Sequence, residues 1–77
     1  MEVEALIQIK FLPGADMNKL LNDIGKMPHV IWVRLAFGAT ADAVAYVKAP
    51  NNGEVATLAV KINGLEGVAS TFTQIMA

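Results

Sequence analysis

The segment 38–42, with the sequence Gly-Ala-Thr-Ala-Asp, has the groups needed to bind a small molecule that carries one positive and one negative charge. A turn containing Gly38 can present backbone N–H groups to an anion such as a carboxylate, and Ala39 and Thr40 belong to the same turn. Asp42 can accept hydrogen bonds from an ammonium group. The same residues also suit an ordinary hairpin turn, with Gly38 at positive φ and Asp42 bonded to its own backbone. Taken alone, these residues favour the ordinary turn.

Three hydroxyl side chains near the C-terminal end form a second group of candidate binding residues: Ser70, Thr71 and Thr73. They are the weaker candidates, because β-branched residues are common in strands for steric reasons alone.

His29 is the single histidine, and no Cys, second His or paired carboxylate lies at a spacing typical of metal ligands. The sequence therefore predicts no catalytic residue, no metal site and no cofactor, and we interpret His29 as a turn residue.

The composition indicates a partner chain. Of the 77 residues, 55% are hydrophobic and 17% are charged, against about 45–50% and about 25% in ordinary soluble domains. No cysteine is present, so no disulfide can stabilise so small a core. We therefore expect one domain, spanning residues 1–77, that buries part of its apolar surface against another chain.

Charge and hydropathy exclude several classes of partner. The net charge is −1 and the 6 Lys and Arg residues are scattered, so no basic patch for nucleic acid is present. No apolar run approaches the about 18 residues of a membrane span, and the acidic N-terminus is unlike a signal peptide. The sequence predicts a cytoplasmic protein that contacts neither DNA nor membrane.

Hydrophobic periodicity predicts both strands and helices. Alternation at period two predicts strands over 3–11, 30–37, 42–49 and 68–76. Apolar residues at helical spacing predict one helix beginning near Asp16 and ending before Pro28, and a second helix ending at residues 63–64. The order β-α-β-β-α-β predicts an α+β, ferredoxin-like fold, with two helices on one face of a four-stranded antiparallel sheet.

The strand predicted over 30–37 is apolar on both of its rows. One row consists of Ile31, Val33, Leu35 and Phe37, and the other of Val30, Trp32 and Ala36. Because the helices cover only one face of the sheet, a second apolar face predicts a dimer packed sheet to sheet, burying on the order of 800 Å² per partner. Trp32 and Arg34 are the predicted interface residues, since both types are enriched at interface hot spots. Ordinary surface apolarity, with a partly exposed Trp32 beside a solvated Arg34, stays open as the alternative.

Three stretches carry a pattern that spans about residues 3–75. They are Met27-Pro28-His29-Val30-Ile31-Trp32-Val33, Phe37-Gly38-Ala39-Thr40-Ala41-Asp42-Ala43-Val44-Ala45-Tyr46-Val47 and Gly67-Val68-Ala69-Ser70-Thr71-Phe72-Thr73, and the segment Phe11-Leu12-Pro13-Gly14 also fits. In order and spacing they resemble the ligand-binding (RAM) domain of Lrp/AsnC-type transcription regulators, without the helix-turn-helix that such regulators carry. The family has Gly where His29 stands, an aromatic residue where Ala41 stands, and a Gly-x-x-Asp turn one residue shorter than the turn from Gly38 to Asp42.

The resemblance implies a stand-alone amino-acid-sensing domain. Family members pair through their sheet faces, their dimers associate into tetramers or octamers, and free amino acids bind between dimers at the turn that corresponds to residues 38–42. The last strand of a neighbouring dimer helps to line that pocket, at positions that correspond to Ser70, Thr71 and Thr73. By this resemblance the protein would assemble with itself and with full-length Lrp/AsnC-type regulators, and would modulate transcription without touching DNA.

Three other functions stay open. A small dimeric-barrel enzyme, of the monooxygenase or isomerase type, shares the fold and would need a buried His, Asn or Trp in a pocket. An ACT-type module shares the order of elements and would bind its amino acid near Pro13 and Gly14. A purely structural subunit would bind no small molecule.

Overall fold

The computed structural model describes residues 2–38 and 40–76. Its elements are β1 (Val3–Phe11), α1 (Met17–Gly25), β2 (Val30–Leu35), β3 (Ala43–Ala49), α2 (Asn52–Asn63) and β4 (Val68–Met76). Neighbouring strands are antiparallel and follow the order β2-β3-β1-β4. The predicted ferredoxin-like βαββαβ fold is confirmed.

Both helices begin at side chains that cap their free N–H groups. The Asp16 carboxylate accepts a hydrogen bond from the Lys19 N–H at 3.1 Å, and the Asn51 side chain accepts one from the Glu54 N–H at 2.9 Å. At the other end of α2, the Gly64 N–H donates to carbonyls of the last turn. Among the described residues, neither helix has the length and apolarity needed to cross a membrane.

The core lies between the two helices and one face of the sheet. That face is formed by alternate residues of β1 and β3, and the helices add apolar residues at helical spacing. The largest fully buried side chains are Ile7, Ile9, Ile24, Ile62, Val47 and Val55. Burial of apolar area of this kind is the main driving force for folding, and the periodicity that predicted β1 and both helices is the pattern of this core.

A bulge in β2 makes the predicted alternation of that strand wrong. Val30 is paired with Val47, but the next pair along the ladder is Trp32 with Tyr46, so Ile31 is an extra residue. Val30 therefore packs against the core on the same side as Val33, whereas Trp32 lies on the opposite face. The Ile31 side chain is 55% exposed.

The hairpin strands are shorter than predicted. β2 ends at Leu35 and not at Phe37, and β3 begins at Ala43 and not at Asp42. Backbone pairing continues one step further, because the Ala36 N–H donates to the Asp42 carbonyl at 2.9 Å. Beyond this bond the chain leaves the sheet, and the Phe37 side chain, expected in an apolar row, is 96% exposed.

The loop between β1 and α1 is fixed by contact with the segment that precedes β4. The Leu12 N–H donates to the Gly67 carbonyl at 2.7 Å. Gly67 has φ +98°, and a Cβ atom placed on it would lie 3.1 Å from the Ala15 Cβ and 3.2 Å from the Leu20 Cδ1. Both the backbone conformation and the available space therefore require glycine at this position.

We expect Gly67→Ala to lower the free energy of unfolding by about 1–3 kcal/mol, because it adds left-handed strain and crowds Ala15 and Leu20. Urea unfolding followed by circular dichroism measures the change. Gly38→Ala is the matched control, since a Cβ atom there meets nothing within 4 Å and Gly38 lacks a left-handed φ. Equal stabilities of the two variants would contradict this account of the loop.

Candidate functional site

The Asp42 side chain is held at the end of the sheet by the backbone of β1. Its Oδ2 accepts a hydrogen bond from the Phe11 N–H at 2.8 Å, in a partly buried position. The Asp42 N–H donates to the Ile9 carbonyl at 2.9 Å. The carboxylate thus supplies an acceptor to β1 beyond the last pair of the β1–β3 ladder, and among the described residues of the turn it accepts no hydrogen bond from the backbone.

The second carboxylate oxygen of Asp42 lies beside a lysine. Asp42 Oδ1 is 3.6 Å from Lys10 Nζ, and the two side chains are 33% and 43% exposed. Ser70 of β4 is the register partner of Lys10 on its other side. The fold therefore brings Asp42, Lys10 and Ser70 together in one row across the end of the sheet. Lys10 was not predicted as a site residue, because a lysine on an exposed strand row is usually only solvated.

The turn between β2 and β3 lies next to this row. Gly38 and Thr40 are exposed, and Ala39 lies outside the described residues. The alternative interpretation of Gly38, as a residue at positive φ, is wrong, since its φ is not in the left-handed region. Ala41, which precedes Asp42 at the end of the turn, is only 6% exposed and is therefore buried in the protein. Neither backbone strain nor steric crowding explains the glycine at position 38.

The predicted hydroxyl residues are divided between the two faces of the sheet. Ser70 is on the face that carries Lys10, whereas Thr71 pairs with Ile9 and Thr73 with Ile7, on the face that the helices cover. Thr71 and Thr73 are half-buried there. Within one chain, therefore, Ser70 joins the Asp42 row and the two threonines do not.

Two open clefts border the loop between β1 and α1. The first, of about 400 Å³, includes both Lys10 and Asp42; its full lining is Lys10, Phe11, Leu12, Pro13, Gly14, Ala15, Met17 and Asp42. The second, of about 460 Å³, lies across the same loop and is lined by residues 12–16 together with Lys19, Leu20, Glu66 and Gly67. Both volumes fall within the ordinary range for small-molecule sites, about 300–1,000 Å³.

The face of the sheet opposite the helices carries an aromatic cluster. The Trp32 and Tyr46 rings are 5.6 Å apart, and the Arg34 guanidinium lies 4.7 Å from the Trp32 ring centroid. The Tyr46 hydroxyl donates to the Glu4 carboxylate, and this hydrogen bond raises the pKa of Tyr46. Phe72, on β4, is 67% exposed. The predicted interface residues Trp32 and Arg34 therefore both lie on the uncovered face.

His29 lies at the opposite end of the sheet from Asp42, just before β2. Its φ of 74° is left-handed, which accounts for the glycine found at the matching position of the motif it resembles. His29 Nε2 lies 3.7 Å from Glu54 Oε2, with both side chains partly exposed. Within residues 2–38 and 40–76, no three His, Asp or Glu side chains are grouped closely enough to hold a metal ion.

Comparison with known proteins gives structural matches over nearly the whole chain. No protein-family model and no curated protein matches the sequence. A protein from Thermus thermophilus superposes with a TM-score of 0.88 and 28% identity, covering 97% of this chain and 92% of its own. An AsnC family transcriptional regulator from Agrobacterium tumefaciens gives 0.83 and 10%, covering 97% of this chain and 50% of its own.

A transcriptional regulator from Neisseria meningitidis, solved as a complex with L-Met, gives a TM-score of 0.83 and 14% identity. This match covers 97% of this chain and 49% of the regulator. The chain therefore has the fold of about half of such a regulator. The fold that the resemblance to Lrp/AsnC-type regulators implied is therefore confirmed.

We expect Asp42→Ala to lower the free energy of unfolding by about 1–3 kcal/mol, because the partly buried Phe11 N–H loses its acceptor. Asp42→Asn keeps a side-chain oxygen for this bond and should retain most of the stability. Asp23→Ala is a surface control, since its pair with Lys19 is exposed and worth at most about 1 kcal/mol. Urea unfolding compares the three variants, and an Asp42→Ala variant as stable as Asp23→Ala would show that the Phe11 bond contributes nothing.

Proposed function

We propose that this chain, which has the fold of half of an AsnC-type transcription regulator, is a small regulatory module that binds a free amino acid and assembles with copies of itself. In this proposal the site is the row of Asp42, Lys10 and Ser70 together with the turn of Gly38, Ala39 and Thr40. Full-length regulators of the same fold are further partners. Direct binding of DNA is not part of the proposal, because the chain has a net charge of −1 and scattered basic residues.

The single observation that carries the proposal is the position of Asp42. Its carboxylate borders an open cleft of about 400 Å³, next to an exposed turn. A free amino acid has an ammonium group, and a partly buried carboxylate is a strong acceptor for such a donor. Support also comes from the fold, since a transcriptional regulator that shares it was solved as a complex with L-Met.

In this proposal the two carboxylate oxygens of Asp42 have different partners. Oδ2 is occupied by the Phe11 N–H, whereas Oδ1 faces Lys10 at 3.6 Å, which is too long for a hydrogen bond. Oδ1 is therefore the oxygen available to a ligand ammonium. The half-buried Thr71 and Thr73 cannot join this row within one chain, so in the proposal they are contributed by a neighbouring copy.

Self-assembly in the proposal uses the uncovered face of the sheet. The chain holds 55% hydrophobic residues, and the helices leave that face, with Trp32, Tyr46 and Phe72, open to solvent. A stable pair of small proteins buries about 800 Å² on each partner. A sheet face of four strands is large enough to supply such an area, and aromatic and arginine side chains are the types that contribute most at interfaces.

We expect Asp42→Asn to abolish amino-acid binding while leaving the fold intact, because it removes the charge and keeps an acceptor for Phe11. The measurement is a thermal-shift screen of the wild type and the variant against the common L-amino acids at millimolar concentration. A ligand at about 100 times its dissociation constant adds about 2.7 kcal/mol per site, which raises the melting temperature by several degrees.

Asp23→Asn, on the exposed face of α1, is the matched control and should shift like the wild type. No shift of the wild type with any amino acid would overturn the sensing function and leave a structural subunit. Chemical-shift changes on ligand addition confined to the loop 12–16 would favour the ACT-type alternative, whereas changes at 38–42 support the proposal.

We expect the wild type to be a dimer in solution and Trp32→Asp to be a monomer, because the variant loses the aromatic anchor and must bury a carboxylate, whose desolvation outweighs its attraction to the neighbouring Arg34. Light scattering coupled to size-exclusion chromatography measures both masses. Val60→Asp, on α2 where the side chain is 72% exposed, is the control and should remain dimeric. A monomeric wild type, or a dimer unaffected by Trp32→Asp, would contradict association through this face.

A further inference from the structure

We propose that Lys10 binds the carboxylate of the amino acid and that Leu12, Pro13 and Met17 receive its side chain, so that the cleft selects amino acids with uncharged, apolar side chains. This inference rests on the proposed function and goes beyond it. It assigns a role to a lysine that the turn motif does not contain, and it names the class of ligand.

The geometry of Lys10 and Asp42 matches a zwitterion. Their charged atoms are 3.6 Å apart, so they attract each other without sharing a good hydrogen bond. Partly exposed ion pairs of this kind contribute little to stability. A ligand that breaks the pair between Lys10 and Asp42 therefore costs the protein little free energy. An amino acid offers an ammonium to Asp42 and a carboxylate to Lys10 at once, and each contact is a charge-assisted hydrogen bond.

Of the three charged residues that line the second cleft, Asp16 and Lys19 are already engaged, so Glu66 has no available cation beside it among the lining residues. Lys19 Nζ donates to Asp23 Oδ2 at 3.0 Å, and this hydrogen bond raises the pKa of Lys19. The Asp16 carboxylate caps α1 through the Lys19 N–H. Lys19 is also 70% exposed, against 43% for Lys10. The cleft with Lys10 and Asp42 is therefore the better site for a molecule that needs two opposite charges.

The rest of the first cleft is apolar. Leu12 is 50% exposed and Met17 is 46% exposed, so both present hydrocarbon surface to whatever enters. Among the described residues that line this cleft, those other than Lys10 and Asp42 carry no charge. A ligand side chain with its own charge would lose water and find no partner there, whereas an apolar side chain would cover Leu12, Pro13 and Met17.

The experiment is calorimetric titration of the full chain with L-methionine and with 3-(methylsulfanyl)propylamine, which is methionine without its carboxylate. The wild type should prefer methionine. Lys10→Gln should weaken methionine binding by about ten- to a hundredfold and leave the amine unchanged, so that the preference disappears. Lys10→Arg should restore it. Lys26→Gln, at an exposed lysine that follows α1 and lies away from the sheet face proposed for self-assembly, is the matched control and should behave as the wild type.

The outcomes separate this inference from the proposed function. If the wild type binds methionine and Lys10→Gln keeps its preference over the amine, the role of Lys10 is overturned while amino-acid sensing stands. If L-glutamate or L-lysine binds the wild type as tightly as methionine, the apolar class is overturned. If no amino acid binds the wild type, the proposed function fails, and this inference fails with it.

Discussion

The hydrogen bond from the Phe11 N–H to the Asp42 carboxylate joins the segments on which the proposed site depends. Asp42 also pairs through its backbone with Ile9 on one side and with Ala36 on the other. One residue therefore fixes the end of β1, the end of β2 and the start of β3. The apolar wall of the cleft follows Phe11 directly along the chain, so its position relative to Lys10 is set by the same bond.

The two helices cover one face of the sheet and leave the other face uncovered. Between the helices and the covered face lie aliphatic side chains with no exposed surface, such as Ile7 of β1 and Ile62 of α2. The uncovered face carries the aromatic cluster of Trp32 and Tyr46 together with charged residues such as Glu4. A face of this mixed kind is tolerated in water and is still apolar enough to associate, which is typical of surfaces that meet another protein.

Much of the fold could be predicted from the sequence, because burial on one side imposes a period on every element. The hydrophobic periodicity assigns residues to the wrong face where strand pairing, and not burial, determines the conformation. The residue types at positions 30–35 do not indicate a bulge at Ile31. The bulge is visible only in the pairing, where Val30 is opposite Val47 and Trp32 is opposite Tyr46. For the same reason only part of the candidate site could be proposed from the sequence. Asp42 was recognisable as an acceptor, but Lys10 becomes its neighbour only through the register between β1 and β3.

Both edge strands of this sheet contain an irregularity. On β2 the ladder skips Ile31, and on β4 it skips Ala69, since Lys10 pairs with Ser70 and Phe11 with Val68. A long, regular strand edge is a template to which further copies can add without limit, as they do in amyloid fibrils, and bulges interrupt that template. In a chain this rich in apolar residues, the two bulges disfavour open-ended polymerisation along the edges. They do not interrupt the sheet face, which is the surface of the proposed self-association, and an association through that face is complete once two copies have met.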